Sequence, residues 1–351
     1  MHPRRHACTG QARSRPTRRA PDEPQASDRA ASRNRHTAGC CLTLLLAALA
    51  GGGCAAPNAR PVVQQQPWEP APALAGLQIQ TDHYDLYTTA RDGMMLDYVP
   101  AFLETAFANY QEIITPPAPP DRRLPIYLFD NRQQWARFTS QLAPDRAPVY
   151  LHILHGGYMD DASEAIVIWD LGRDHTLALL AHEGWHQYLA AFFPASVPAW
   201  LNEGLATQFE GFELRGPQPT FTPRNNLLRK NNLREALRAE GAWIGLDELL
   251  SMHAGHAVVR SGQVTRGYYA QLWALVLYLR TGAEQPWRRG FEDLLDDIAA
   301  DRLATALRGY RTVDPKTRTM PDGRAAFTHY ISEDIEAVDR AYRQFAVGLV
   351  Q

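Results

Sequence analysis

The chain has 351 residues, 45% of them hydrophobic and 21% charged, with a formal net charge of −2. That balance is ordinary for a globular protein and lacks the basic excess on which nucleic-acid binding depends. The four cysteines, Cys8, Cys40, Cys41 and Cys54, all precede residue 55, so a disulfide scaffold, a cysteine-ligated metal and a thiol nucleophile are excluded from the body of the chain.

Residues 1–39 carry nine arginines against Asp22, Glu23 and Asp28 and show no apolar periodicity. A largely apolar run follows, Cys41–Ala50, and then Gly51-Gly52-Gly53-Cys54. A basic stretch, an apolar run and small residues make the three-part pattern of a secretory signal. The run is too short to stay in a bilayer as a spanning helix. Gly53-Cys54 resembles the lipobox of bacterial lipoproteins, in which the cysteine is lipidated and becomes the first residue. Gly51 stands where that pattern usually has leucine, and ordinary cleavage after Ala50 or Ala56 is the alternative. The expected location is the cell envelope, with Cys54 as membrane anchor, or else the secreted fraction. Removal of residues 1–53 leaves 27 basic and 35 acidic residues, a net charge of −8. Such a chain has no electrostatic reason to seek nucleic acid or anionic lipid.

Residues 54–75 hold Pro57, Pro61, Pro67, Pro70, Pro72 and the run Gln64-Gln65-Gln66, and read as an extended tether. From residue 76 the pattern is α+β. Strands are expected at 77–80, 84–88, 124–129 and 165–169, with helices at 94–114 and 132–142. After residue 173 the chain reads as almost wholly helical. Asp174 is a candidate N-cap for a helix that Pro194 ends, and a second helix starts near Pro198. Further helices are expected at 224–240, 268–281, 287–299 and 333–347. The domain reading is 76–290 for the main body and 291–351 for a C-terminal helical extension.

His182-Glu183-Gly184-Trp185-His186 is an H-E-x-x-H motif. Residues i and i+4 share a helix face, so both imidazoles can reach one ion, and Glu183 can address a water on it. The flanks are apolar nearly all round, from Leu177 to Ala181 and from Tyr188 to Phe192, which predicts burial. Buried imidazoles and carboxylates need partners. A four-coordinate catalytic zinc takes three protein ligands and keeps one position open. Glu203, in Pro198-Ala199-Trp200-Leu201-Asn202-Glu203-Gly204-Leu205-Ala206, can return to the ion across a turn and an antiparallel helix. Glu210, two turns on, can hold a ligand imidazole from behind. Gly184 marks a close approach of another backbone or of substrate. His152/His155 and His253/His256 are spaced i, i+3 but read as loop or surface histidines. Asp160 and Asp161 read as turn residues.

On H-E-x-x-H and W-L-N-E-G-L-A the sequence resembles the gluzincin metallopeptidases, and more closely the exported bacterial peptidase-MA-like proteins, over about residues 157–280. The resemblance implies a zincin-like fold: a small mixed sheet, an active-site helix and a mostly helical C-terminal half. It implies one Zn²⁺ per chain on His182, His186 and Glu203, a peptide or protein substrate, Glu183 as base, and a downstream tyrosine, Tyr269 or alternatively Tyr268, on the oxyanion. It also implies a substrate-pairing edge strand before the zinc helix, placed at Ile166–Trp169. Gly157-Tyr158-Met159-Asp160-Asp161 faintly resembles the G-x-M-E-N motif that holds a substrate α-amine, with Asp160 and Asp161 replacing Glu and Asn. A catalytically silent zincin serving as a surface binding module is the rival expectation.

Overall fold

A computed structural model describes residues 63–71, 74–118, 121–154, 156–194, 197–216, 218–308 and 323–351. The leader, Cys54, most of the first half of the expected tether, Pro72 and His155 lie outside them. The described residues begin with three strands, β1 (Gln64–Ala71), β2 (Leu74–Gln80) and β3 (Tyr84–Thr88). Helix α1 (Gly93–Ile113), strand β4 (Leu124–Phe129), helices α2 (Arg132–Leu142) and α3 (Ala147–Tyr150), and strands β5 (Gly157–Asp160) and β6 (Ala165–Trp169) follow. The remainder is nearly all helix: α4 (Arg173–Phe192), α5 (Ala199–Ala206), a short hairpin β7–β8 (Phe212–Glu213, Thr220–Phe221), α6 (Leu227–Arg238), α7 (Leu246–Ser251), α8 (Ala254–Arg260), α9 (Gly262–Thr281), α10 (Gln285–Ala299), α11 (Leu303–Ala306), α12 (Gly323–Tyr330) and α13 (Ile335–Val350). No helix among the described residues is long and apolar enough to cross a membrane.

The fold is therefore α+β, with a six-stranded mixed sheet in the order β1-β2-β3-β4-β6-β5. The β3–β4 and β4–β6 pairs are parallel and the others antiparallel. Alternation divides the sheet into two faces. Ile79, Leu86, Ile126, Leu128, Ile166 and Ile168 join the main core with α1 and α4. Phe129, Tyr158, Val167 and Trp169 face the other way and form a second cluster with Trp135 of α2. Strand β6 is buried along its whole length because both faces are covered.

Three expectations need correction here. Residues 64–71 are not tether but edge strand β1, paired antiparallel with β2. Pro67 and Pro70 are tolerated because an edge strand needs partners on one side only. Asp174 is not the cap of α4; the helix starts at Arg173, with Gly172 (φ 87°) in the cap position. Asp174 sits in the first turn, where the helix dipole favours an acid. The segment 291–351 is not a separable extension. Helix α10 runs straight through the expected boundary, and Phe291, Leu294, Val338 and Tyr342 belong to the main core. The Tyr342 hydroxyl donates to the Gln271 carbonyl in α9 at 2.8 Å.

Helix α13 buries Ile335, Val338, Tyr342, Ala346 and Leu349. Full burial of a large apolar side chain is worth about 1.5–3 kcal/mol, so losing this face removes much of a typical domain's stability of about 5–15 kcal/mol. A chain ending at residue 334 is expected to lose its cooperative thermal unfolding transition. Circular-dichroism melting checks this; an unchanged sharp transition would show that the C-terminal helices are dispensable.

Candidate metal centre

Two glycines let the site-bearing helices approach their supports. At Gly184 a Cβ would lie 2.6 Å from the Tyr110 hydroxyl, which donates to the Ala181 carbonyl at 2.8 Å. The close approach expected at Gly184 is thus a tyrosine side chain of α1, neither backbone nor substrate. At Gly204 a Cβ would lie 2.4 Å from Val276 Cγ2 and 3.1 Å from the Leu272 carbonyl, which seats α5 against α9. Gln187 ties α4 to the sheet, its amide donating to the carbonyls of Pro125 and Glu164.

With α4 and α5 so placed, His182, His186 and Glu203 come together. His182 Nε2 is 3.2 Å from His186 Nε2, and Glu203 Oε2 is 3.4 and 3.5 Å from the two nitrogens. The three side chains are only 11%, 14% and 16% exposed. Their outer partners fix the tautomers. His182 Nδ1 lies 2.8 Å from Glu210 Oε1, and His186 Nδ1 lies 2.9 Å from Asn202 Oδ1. Both partners are acceptors, so each Nδ1 carries the hydrogen, and in the neutral imidazoles both Nε2 lone pairs turn toward Glu203. Glu203 Oε2 is buried without a hydrogen-bond partner. Lone pairs that converge in this way need a shared cation or protons. A tetrahedral ion with bonds of about 2.0–2.1 Å spaces its donors roughly 3.4 Å apart, which matches this triangle. Among the described residues this is the one group of three or more such side chains able to hold an ion.

The charges agree. Glu183, Glu203 and Glu210 act on the two imidazoles, and Arg229 forms an ion pair with Glu210. With neutral imidazoles this set carries a net charge of two negatives, the complement of one divalent cation. In the ion's absence, protons take its place. Burial pushes the His182 pKa down, but the Glu203 and Glu210 carboxylates outweigh it and hold it up to about 10. His186 is likewise lowered by burial and raised on balance by Glu203. Burial raises the Glu203 carboxyl, yet the two imidazoles hold it well below the usual carboxylate range. Arg229 and His182 overcome burial at Glu210 and bring it to about 2.

Glu183 is half-buried and makes no side-chain hydrogen bond to any described residue. Tyr269 is partly exposed, its ring 6.1 Å from that of His182 and edge-on to it. Tyr268 is wholly buried in the core, its hydroxyl without a partner. Both hydroxyls feel the Glu203 carboxylate, and Tyr269 is the one whose ring packs edge-on against His182. Glu210 lies where it can support His182, but on a 3-10 turn (Thr207–Glu210) that follows α5 and not on α5 itself.

Sequence reading missed Arg229, Asn202 and Asn226. Arg229 grips Glu210 with Nε and Nη2, both at 2.6 Å, and Asn226 donates to Glu210 at 3.0 Å. Asn202 was legible in principle, one residue before Glu203. Arg229 was not, because no spacing rule joins it to a turn nineteen residues earlier.

Strands β5 and β6 both pack against α4. The expected edge, Ile166–Trp169, is interior, between β4 and β5, while β5 ends the sheet. Met159 packs toward the core shared with α4. Asp160 points to the opposite face. It is 2% exposed, accepts from the Ser163 backbone and hydroxyl, and pairs with Arg146. Asp160 was expected in a turn but ends β5, and its carboxylate instead ties down the turn that follows, where Asp161 lies. His253 and His256 stack at 3.6 Å, and His253 caps α8. His152 and His175 are exposed.

No protein-family model matches the chain, and no curated protein matches it.

The raised imidazoles fix the sign of a pH effect. Their contribution to the stability of metal-stripped protein is complete below the unfolded histidine pKa of about 6.5 and is lost as pH rises toward about 10. A divalent ion takes neutral imidazoles and so binds better as pH rises. The melting-temperature gap between zinc-supplemented and chelator-stripped protein is expected to widen from pH 6 to pH 9. A gap that stays flat or narrows would show that protons and metal do not exchange at this centre.

Proposed function

We propose that the chain is a zinc-dependent hydrolase of peptide bonds with a zincin-like fold, exported and held at the cell envelope. The observation that carries the reading is the convergence of His182 Nε2, His186 Nε2 and Glu203 Oε2 at 3.2–3.5 Å, with Glu183 on the same helix. His182, His186 and Glu203 would hold one Zn²⁺, and their two nitrogens and one oxygen suit it. Zinc supplies a Lewis acid that polarises a carbonyl and acidifies water.

Residues of the chain do the rest. Glu183 takes the proton of the attacking water and passes it to the leaving amine. Tyr269 donates its hydroxyl hydrogen to the oxyanion, an effect worth about 3 kcal/mol in comparable sites. Burial holds the Tyr269 pKa well above 10, so the phenol keeps the proton it must donate. A peptide is the fitting substrate because β5 is an edge strand beside α4, and its outward backbone groups can pair with an extended chain.

The test uses the chain from residue 55 onward, which keeps β1 intact. Metal analysis and a peptide-library digest are expected to give zinc near one per chain together with cleavage. Glu183→Gln is expected to retain zinc and lose at least about 99% of kcat, and Tyr269→Phe to lose kcat about 100-fold with zinc retained. Wild-type cleavage by Glu183→Gln would refute the mechanism. Zinc without cleavage of any peptide would favour a silent binding module.

The export reading rests on the leader and Gly53-Cys54. Intact-mass analysis of the protein from its native envelope is expected to show a diacylglycerol on Cys54. An unmodified N-terminus at Gly51 or Pro57 would mean ordinary signal cleavage.

A further inference from the structure

Arg229 stands between two parts of the centre that the proposed chemistry treats as separate. Its side chain is 13% exposed and its partner Glu210 is 7% exposed, so the ion pair is buried. The guanidinium fork meets the carboxylate edge-on, Nε to Oε2 and Nη2 to Oε1, both at 2.6 Å. Glu210 Oε1 is also the acceptor for His182 Nδ1 at 2.8 Å. On its other side the guanidinium carbon lies 5.0 Å from the centre of the Tyr269 ring. Asn226 holds the start of α6 in place: its side-chain Oδ1 accepts from the Arg229 backbone N–H and so caps the helix, and its side-chain Nδ2 donates to Glu210 and to the Thr207 carbonyl. One buried cation thus touches both the carboxylate behind a ligand and the face of the tyrosine beside it.

We infer that Arg229 is a positioning residue that sets the His182 imidazole and the Tyr269 ring together. Its fork fixes the Glu210 carboxylate in the one plane that meets both the guanidinium and the imidazole. A carboxylate so held keeps the hydrogen on Nδ1 and the lone pair on Nε2. The planar cation over the ring limits how Tyr269 can swing, which fixes where its hydroxyl lies. Lysine cannot replace it, since an ammonium is a point charge with neither the fork nor the flat face. The half of the inference that concerns Tyr269 rests on the peptidase reading. The half that concerns His182 needs only a metal.

The test compares Arg229→Lys with wild type for zinc affinity, by competition with a chelator, and for kcat and KM on a cleaved peptide. Partners behind a ligand typically change metal affinity or activity about 10–100-fold. Arg229→Lys is expected to weaken zinc binding at least about 10-fold and to lower kcat by a similar factor, with KM within about twofold. The zinc effect should shrink in a Glu210→Gln background, and the kcat effect should shrink in a Tyr269→Phe background. Arg229→Met alone strands a buried carboxylate and can fail to fold. Arg229→Met/Glu210→Gln removes both charges and is expected to bind zinc as Glu210→Gln does. The inference is overturned if folded Arg229→Lys melts earlier but keeps zinc affinity and kcat within twofold. It is also overturned if its effects are undiminished in both backgrounds. A wild type that binds zinc and cleaves nothing ends the peptidase reading and the Tyr269 half with it. The zinc affinities then decide the His182 half alone.

Discussion

The centre depends on a buried excess of negative charge. Among the described residues, the buried Glu203 and Glu210 and the half-buried Glu183 act on two imidazoles, with Arg229 as the fixed counter-charge. A low-dielectric interior does not tolerate such a set uncompensated. It must gather either two protons or one divalent ion, and both compete for the same lone pairs. The raised imidazoles and the depressed Glu203 and Glu210 carboxyls express this one constraint from either side. The triangle of 3.2, 3.4 and 3.5 Å has the dimensions that a single small ion would require.

That geometry comes from how closely the helices pack. Gly184 lets Tyr110 of α1 reach the backbone of α4 one residue before His182. Gly204 lets α5 sit against α9 one residue after Glu203. In each case a glycine costs helix stability of about 1 kcal/mol and gains a contact beside a ligand. Gln208 ties the turn after α5 to α9 by donating to the carbonyls of Gly204 and Trp273. Distances at the centre are thus fixed by four helices and a turn whose supports lie one or two residues from the functional groups.

How far this could be read in advance varied with the range of the interaction. The helix that carries His182 and His186 was legible because its i, i+4 histidines and apolar flanks are local signals, and the approach of Glu203 because a short antiparallel return is a simple topology. Tyr269 and Tyr268 could not be separated by sequence, since which neighbour faces the site depends on how α9 is rotated. The edge strand was misplaced because Ala165–Trp169 is the stronger β pattern, and strong apolar runs mark interior strands. The true edge Gly157–Asp160 is only four residues long and gives a weaker pattern. Strand β1 was taken for tether for a similar reason: prolines and glutamines suit an exposed edge as well as they suit a linker. Arg229 gave no signal because its partners were set by a hairpin and a helix cap.

The two faces of β5 divide the labour further. Met159 lies on the side of α4, while Tyr158 and Asp160 lie on the side of α2. A carboxylate at residue 160 invites comparison with an amine-holding acid, but this one is committed to Ser163, Arg146 and Tyr150. The strand therefore turns an apolar side chain toward α4, and the charges that act on the histidines come from α4, α5 and the turn after it, with Arg229 of α6 behind.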